Sequence, residues 1–241
     1  MKLLVDKMPF RQVNEAIRAS RDRDVILEHC LGQRFLASGM SDRKITITGI
    51  AGNALGSYND GCTITVMGNA QDATADTMND GLIAVHGSCG DGAGYGMRGG
   101  RLFIKGDVGY RAGIHMKEYE SKRPVLIVGG TAGSFLGEYQ AGGIIAVLGL
   151  RRRKESPLTG YFCAAGMYGG KLFLRSPHPP KGLPERLICR RAGPADLEQL
   201  LQELEEFCVL FQEDLTEILS TPFYLVEPDS KNSYKQLYTH R

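Results

Sequence analysis

Ile45-Thr-Ile-Thr-Gly49, Ile64-Thr-Val-Met-Gly68, Ile83-Ala-Val-His-Gly87 and Leu102-Phe-Ile-Lys-Gly106 are one motif written four times, with closing glycines 19 residues apart. Leu126-Ile-Val-Gly-Gly130 follows after 24 residues, Ile145-Ala-Val-Leu-Gly149 after a further 19, and Leu172-Phe-Leu-Arg-Ser176 after 27. The surplus over 19 falls in two polar stretches, 117–123 and 151–156, as insertions into a repeat should. Four residues before the closing position every repeat carries Ile or Leu, and two before it every repeat carries Ile, Val or Leu. A separation of two puts both side chains on one face of a strand, so seven strands are predicted to share one apolar interior.

Small residues form further columns. Gly52, Gly90, Gly109 and Gly133 lie three after the closing glycine, and Gly56, Ala75, Gly94, Gly113, Gly137 and, once the 8-residue insertion is discounted, Ala164 lie seven after it. Gly81, Gly100, Gly143 and Gly170 come just before the next strand. Glycine at fixed offsets marks corners with left-handed backbone, or backbone stacked too closely for a Cβ. A period of 19 is too short for full crossover helices and suits one coil of a solenoid. The asparagine-bearing signature of leucine-rich repeats is absent. The expected fold is all-β: a single-stranded parallel β-helix of six to seven coils over residues 44–177. Residues 1–43 are expected to form an N-terminal cap and 178–241 a helical C-terminal extension. In the cap, Lys2-Leu-Leu-Val, Asp24-Val-Ile-Leu and Arg34-Phe-Leu-Ala-Ser read as short strands and Phe10–Ala19 as a helix. After the Pro177, Pro179 and Pro180 break, Leu197, Leu200, Leu201, Leu204, Phe207, Cys208 and Phe211 recur at helical spacing, predicting a helix over Pro194–Phe211. Glu198, Gln202, Glu203, Glu205 and Glu206 are expected on its solvent side. A second short helix is expected over Leu215–Leu219, and the tail from Phe223 is either docked or an interaction arm.

Composition narrows the function. The 241 residues carry a formal charge of +2, so no polyanion or membrane surface is implied, and neither a nucleic-acid nor a membrane partner is expected. No secretory signal is visible at Met1-Lys-Leu-Leu, and the longest apolar run, 144–150, is too short to span a bilayer. The six cysteines form no C-x-x-C pair and fit no zinc or iron–sulfur spacing, as expected for reduced thiols in a cytoplasmic protein.

The assembled segments resemble a known family. Gly49-Ile-Ala-Gly-Asn-Ala-Leu-Gly56, Gly90-Asp-Gly-Ala-Gly-Tyr-Gly-Met-Arg-Gly-Gly100, Gly109-Tyr-Arg-Ala-Gly-Ile-His-Met-Lys-Glu-Tyr119, Gly137-Glu-Tyr-Gln-Ala-Gly-Gly143 and Ala165-Gly-Met-Tyr-Gly-Gly170 are similar to the G-X-G-X-G domain. That domain is the carboxy-terminal β-helix of the glutamate synthase large subunit, and also occurs as one of the subunits of formylmethanofuran dehydrogenase and as separate proteins. The resemblance covers about residues 30–176 and implies a right-handed β-helix that braces catalytic domains. It implies a non-catalytic scaffold subunit of a glutamate synthase-like complex in nitrogen metabolism. Its expected partners are a glutamine amidotransferase chain and an FMN-dependent synthase chain. FMN and iron–sulfur clusters are expected on those partners and no cofactor on this chain, which could also form a homo-oligomer when isolated. The corresponding subunit of a formylmethanofuran dehydrogenase-like complex is the alternative of the same class.

Individual motifs fit that frame. Gly94-Tyr-Gly-Met-Arg-Gly99 matches G-x-G-x-x-G, but a strand follows where a dinucleotide site needs a helix, so Gly90, Gly92, Gly94, Gly96, Gly99 and Gly100 are read as structural glycines. Arg111, His115, Lys117 and Glu118, with Glu138 one repeat on, form a charged face suited to a partner subunit or an anion. Arg151-Arg-Arg-Lys reads as a solvated insertion. His86 is expected at the surface between Met67 and Lys105, and Asn59-Asp60 and Asn79-Asp80 as turn chemistry rather than paired acid–base groups. An independent carbohydrate-active enzyme is disfavoured, because Thr48, Met67, His86, Lys105, Gly129, Leu148 and Arg175, one before each closing position, offer no carboxylate stack. No catalytic or metal-binding residue is assigned.

Overall fold

The computed structural model describes residues 1–153 and 156–229. Its strands are β1 (Lys2–Leu4), β2 (Asp24–Gln33), β3 (Lys44–Ala51), β4 (Asp60–Val66), β5 (Asp80–Val85), β6 (Arg101–Ile104), β7 (Val125–Val128), β8 (Ala141–Val147), β9 (Gly169–Arg175), β10 (Leu187–Arg191) and β11 (Phe223–Pro228). Its helices are α1 (Phe10–Ala19), α2 (Pro194–Phe211) and α3 (Leu215–Leu219). The strands form a single open sheet, β1 to β9 in sequence order and parallel, then β11 and β10 antiparallel.

The register is the one the sequence columns require. Ile45 pairs with Ile64, Ile64 with Ile83, and so on through Leu102, Leu126 and Ile145 to Leu172. Ile47, Val66, Val85, Ile104, Val128, Val147 and Leu174 pair in the same way, and both columns are buried in one core. β2 joins this ladder ahead of β3, pairing Val25 with Ile45 and Leu27 with Ile47. Arg34–Ser38, expected as a strand, is instead a turn, with Phe35 and Ala37 in left-handed conformation.

Two further ladders accompany the strands. Ala51, Ala70, Cys89, Val108, Ala132 and Thr159 are joined by parallel bridges from repeat to repeat. Each bridge residue is followed by a turn in which three alternate residues have left-handed φ, as at Gly92, Gly94 and Gly96, or Arg111, Gly113 and His115. The middle of the three lies in the interior, which explains its restriction to glycine or alanine. At Gly94, with φ of 72°, a Cβ would stand 3.2 Å from Met97 Sδ.

The corner glycines have a second cause that composition does not reveal. Asn69 Oδ1 accepts from the Ser88 amide at 2.9 Å, Ser88 Oγ from Asp107 at 3.0 Å, and Asp107 Oδ1 from Thr131 at 2.6 Å. Asp72 Oδ1 likewise accepts from Asp91, and Asp91 Oδ1 from Tyr110. Each accepting oxygen fills the volume that a Cβ would occupy on the glycine beside it, Asn69 at Gly87 and Asp72 at Gly90.

The outward side of the strands differs along the stack. Thr46 and Thr65 are half-buried, but the same column continues as Ala84, Phe103, Ile127, Ala146 and Phe173, all buried in a second core. That core is closed by Leu200, Leu204, Phe207 and Phe211 of α2, with Ile218, Phe223 and Leu225. Helix α2 spans the residues its periodicity predicts and runs back along the stack. Lys171 of β9 bonds Gln199 near its start, Arg101 of β6 pairs with Glu206, and Lys105 Nζ reaches the Phe211 carbonyl at 2.9 Å. Leu148 and Gly129, assigned to the solvent side from sequence, lie beneath this layer. Glu203 and Glu206 are half-buried rather than fully solvated. From Phe223 to Pro228 the tail is docked as β11; residues 230–241, and Lys154 of the basic insertion, lie outside the described residues.

Candidate functional site

The predicted charged face lies on the turn ladder, and the alternation of backbone conformation decides what it displays. In the turn after Val108, Arg111 and His115 are exposed, whereas Gly113 between them is buried. Main-chain bonds hold neighbouring turns in step: Arg111 donates to the Ser134 carbonyl at 2.8 Å, His115 to Glu138 at 3.0 Å, and Gly137 to Ala112 at 2.8 Å. Side chains at equivalent offsets therefore stack.

Two stacks result. The Arg111 guanidinium lies 5.5 Å from the centre of the Phe135 ring, which stacks at 5.0 Å and 20° on Phe162. The His115 ring stacks at 5.3 Å and 10° on Tyr139, with Tyr95 edge-on at 5.9 Å. Glu138 joins them, its Oε2 being 3.9 Å from Arg111 Nε. The structure thus brings Arg111, His115 and Glu138 together on one ridge. Lys117 and Glu118 stand at its rim: the Lys117 amide donates to Met97 while its side chain is exposed, and Glu118 Oε1 accepts from the Gly143 amide at 3.2 Å. Exposed Tyr110, Tyr161 and Phe162 extend the ridge.

Sequence reading picked out the charges and missed the aromatic rings. The signal was present, because Phe135 occupies the offset of Arg111 and Tyr139 that of His115. Aromatic residues and arginine held on rigid backbone form the composition of protein interfaces, where they lose little side-chain freedom on contact.

The other singled-out groups are engaged internally. The Asn59 side chain bonds both the amide and the carbonyl of Cys62 at 3.0 Å, and Asp80 accepts from the Gly81 amide at 2.7 Å, which is turn chemistry. Lys122 bridges Asp60 and Asp80 at 3.3 and 3.1 Å. Burial acts to raise the Asp80 pKa, but the Gly81 amide and Lys122 outweigh it, and the net shift is downward. His86 packs edge-on against Phe211 at 5.0 Å, and burial followed by the Lys105 charge lowers its pKa; it is a contact to α2 rather than an open surface group. Arg175 donates to the Ile218, Glu217 and Leu148 carbonyls, fixing the end of α3. Arg151 of the basic insertion pairs with Glu213.

Burial pushes the Cys89 and Cys163 thiols up to about 12 and Cys30 up to about 11, so none of these three forms a thiolate at neutral pH. Among the described residues no three His, Cys, Asp or Glu side chains converge as a metal-ligand group, and no helix is long and apolar enough to cross a membrane.

Comparison with known proteins agrees with the repeat. An uncharacterized protein of Methanocaldococcus jannaschii is 41% identical over 244 residues, an alignment covering 96% of this chain and 94% of the relative. The family model described as the GXGXG motif matches residues 6–223. With its glycines at the left-handed turns and at the Asn and Asp acceptors, and with that match over nearly its whole length, the chain belongs to the GXGXG motif family, the family of the C-terminal domain of glutamate synthase.

Proposed function

We propose that this chain is a non-catalytic scaffold subunit of a glutamate synthase-like complex, holding a glutamine amidotransferase chain and an FMN-dependent synthase chain in place. In this reading the strand, bridge and turn ladders are three sides of a right-handed single-stranded parallel β-helix. FMN and iron–sulfur clusters belong to the partner chains, and the complex is cytoplasmic. The observation that carries the proposal is the ridge of Arg111, His115 and Glu138 with Tyr95, Phe135, Tyr139 and Phe162. It is aromatic-rich, carries the Arg111 cation, exposes Arg111, His115, Tyr95, Tyr139 and Phe162, and is held by main-chain bonds from turn to turn. Membership of the GXGXG family supports a glutamate synthase-like setting for this ridge.

Affinity purification of the tagged chain from its native cells, followed by identification of the retained chains, tests the reading. An amidotransferase and a flavin-bearing chain are expected in fixed stoichiometry. Arg111→Glu combined with Lys117→Glu is expected to slow association in a salt-dependent manner while leaving Tm within a degree or so, because both side chains are exposed. A complex retained equally well by the charge-reversed chain would remove the ridge from the interface.

A further inference from the structure

The two ends of the turn ladder are finished differently. Before the last turn, every first and third turn residue donates its amide to the following repeat: Phe135 to the Tyr161 carbonyl and Tyr139 to Ala165, both at 2.8 Å. Each bridge residue does the same, Val108 to Thr131 at 2.9 Å and Ala132 to Leu158 at 3.1 Å. At the first turn, the acceptors and donors facing away from the stack are met by α1. Asn14 Nδ2 donates to the Phe35 carbonyl, Asn14 Oδ1 accepts from the Ala37 amide, and Arg18 donates to the Ser38 carbonyl, each at 2.9 Å.

At the last turn nothing equivalent exists among the described residues. By the rule of the ladder, the amides of Thr159, Phe162 and Gly166 point to a following repeat, and no acceptor among the described residues receives them. Leu183, Leu187 and Val226 join the apolar interior behind them, and along the edge Tyr161, Phe162 and Gly166 are exposed while Thr159 is half-buried. Its rim carries the most exposed aromatic side chain of the described residues, Tyr161 at 82%, and beside it Phe162 at 62%.

We infer that this edge, Thr159 to Gly166, is a docking site for an extended segment of a partner polypeptide, which takes the place of the missing repeat. Main-chain carbonyls of that segment accept from Thr159, Phe162 and Gly166, and one of its side chains stacks on Phe162 as Phe162 stacks on Phe135. Three amides at fixed spacing in a rigid frame select a polypeptide backbone. A second copy of this chain stacked head to tail does not fit, because two groups its first turn would offer, the Ala37 amide and the Ser38 carbonyl, are already held by Asn14 and Arg18. The inference rests on the proposed function only in requiring a partner chain, whatever its identity.

Amide hydrogen exchange on the full chain, alone and in the complex purified from native cells, tests it. Alone, Thr159, Phe162 and Gly166 should exchange at least about a hundredfold faster than Val108, Arg111 and His115, their equivalents inside the ladder. In the complex they should slow by a similar factor. Phe162→Gly keeps the left-handed φ of 59° without strain and should weaken retention of the partner at least about tenfold with Tm unchanged, whereas Tyr58→Gly, also exposed and left-handed, should leave retention intact. Slow exchange in the isolated chain would overturn the inference, either because the chain covers its own end or, where protection rises with concentration, because a second copy does. Fast exchange within an intact complex would overturn it while leaving the proposed function standing. Protection by chains of some other class would uphold it and remove the proposed function. A chain that emerges alone from native cells, its three amides still fast, would end both.

Discussion

The inner and outer faces of the same strands are held by different parts of the chain. The inner columns, from Ile45 to Leu172 and from Ile47 to Leu174, pair with one another from repeat to repeat, and other parts of the chain, such as Val13, Ile17, Leu187 and Val226, join their core without roofing it. The outer column meets solvent at Thr46 and Thr65, and an imported helix from Ala84 onward. An 18-residue helix is about 27 Å long, and four strand steps cover about 19 Å, so α2 suffices to roof β5 to β9. Repetition by itself therefore specifies only the interior. The outer face is specified by where one helix lands, and the column turns apolar at the strand where that helix ends.

Substitutions can separate the two. Val85→Asp places an unpaired charge in the inner core and should cost more than about 4 kcal/mol, abolishing the cooperative melt. Ala84→Asp, one residue away on the covered outer face, should cost about 3 kcal/mol and release α2 first, seen as faster exchange at Leu204 and Phe207 while the Ile64 and Leu102 amides stay protected. Thr65→Asp, in the same outer column but beyond the reach of α2, should stay within about 0.5 kcal/mol of the parent. If Ala84→Asp and Thr65→Asp behave alike, the helix is not what distinguishes the two halves. Gly94→Val tests the turn side of the interior: a β-branched residue at φ of 72°, beside Met97, should cost more than about 2 kcal/mol in a chemical denaturation curve.

The smallest effect expected is a pH dependence confined to the outer layer. The Arg190 guanidinium, with the Gly193 amide, holds the Asp196 carboxyl at about 2, below its ordinary 3.8. A carboxyl lowered on folding contributes stability above its ordinary value and loses it as pH falls through the lowered one. Helix α2 should therefore fray at its first turn between about pH 4 and pH 2, with β3 to β6 unaffected, and Asp196→Asn should remove that titration. Amide shifts of Leu197 and Glu198 followed through the range would show it; a titration unchanged in Asp196→Asn would place its origin elsewhere.

Much of the inner face was legible because a period of two and a spacing of 19 are local properties of the chain. Helices α2 and α3 were legible from their own apolar spacing. The second core was not, because Phe103 and Phe207 meet across about a hundred residues and neither column nor helix names its partner. The same limit explains the ridge. Arg111, His115 and Glu138 stood out as charges, but their setting is supplied by Phe135, Phe162 and Tyr139, whose stacking follows from turn register. The glycine columns were legible as corners. For Gly87, Gly90, Gly109 and Gly130 the cause was not, since it lies in an Asn or Asp oxygen one repeat earlier.

That last feature bears on how the chain reaches its structure at all. A sequence made of near-copies invites mispairing, since any aliphatic strand could lie against any other with similar burial. An oxygen such as Asp72 Oδ1 fits only where the neighbouring repeat leaves a notch, as at Gly90, and where an amide stands beside that notch. A strand displaced by a single residue would set the oxygen against a Cβ and leave the amide unbonded. From Asn69 to Ser134, each repeat that carries such an oxygen therefore checks the alignment of the one laid upon it, and a slipped assembly is rejected one tooth at a time before the error can propagate.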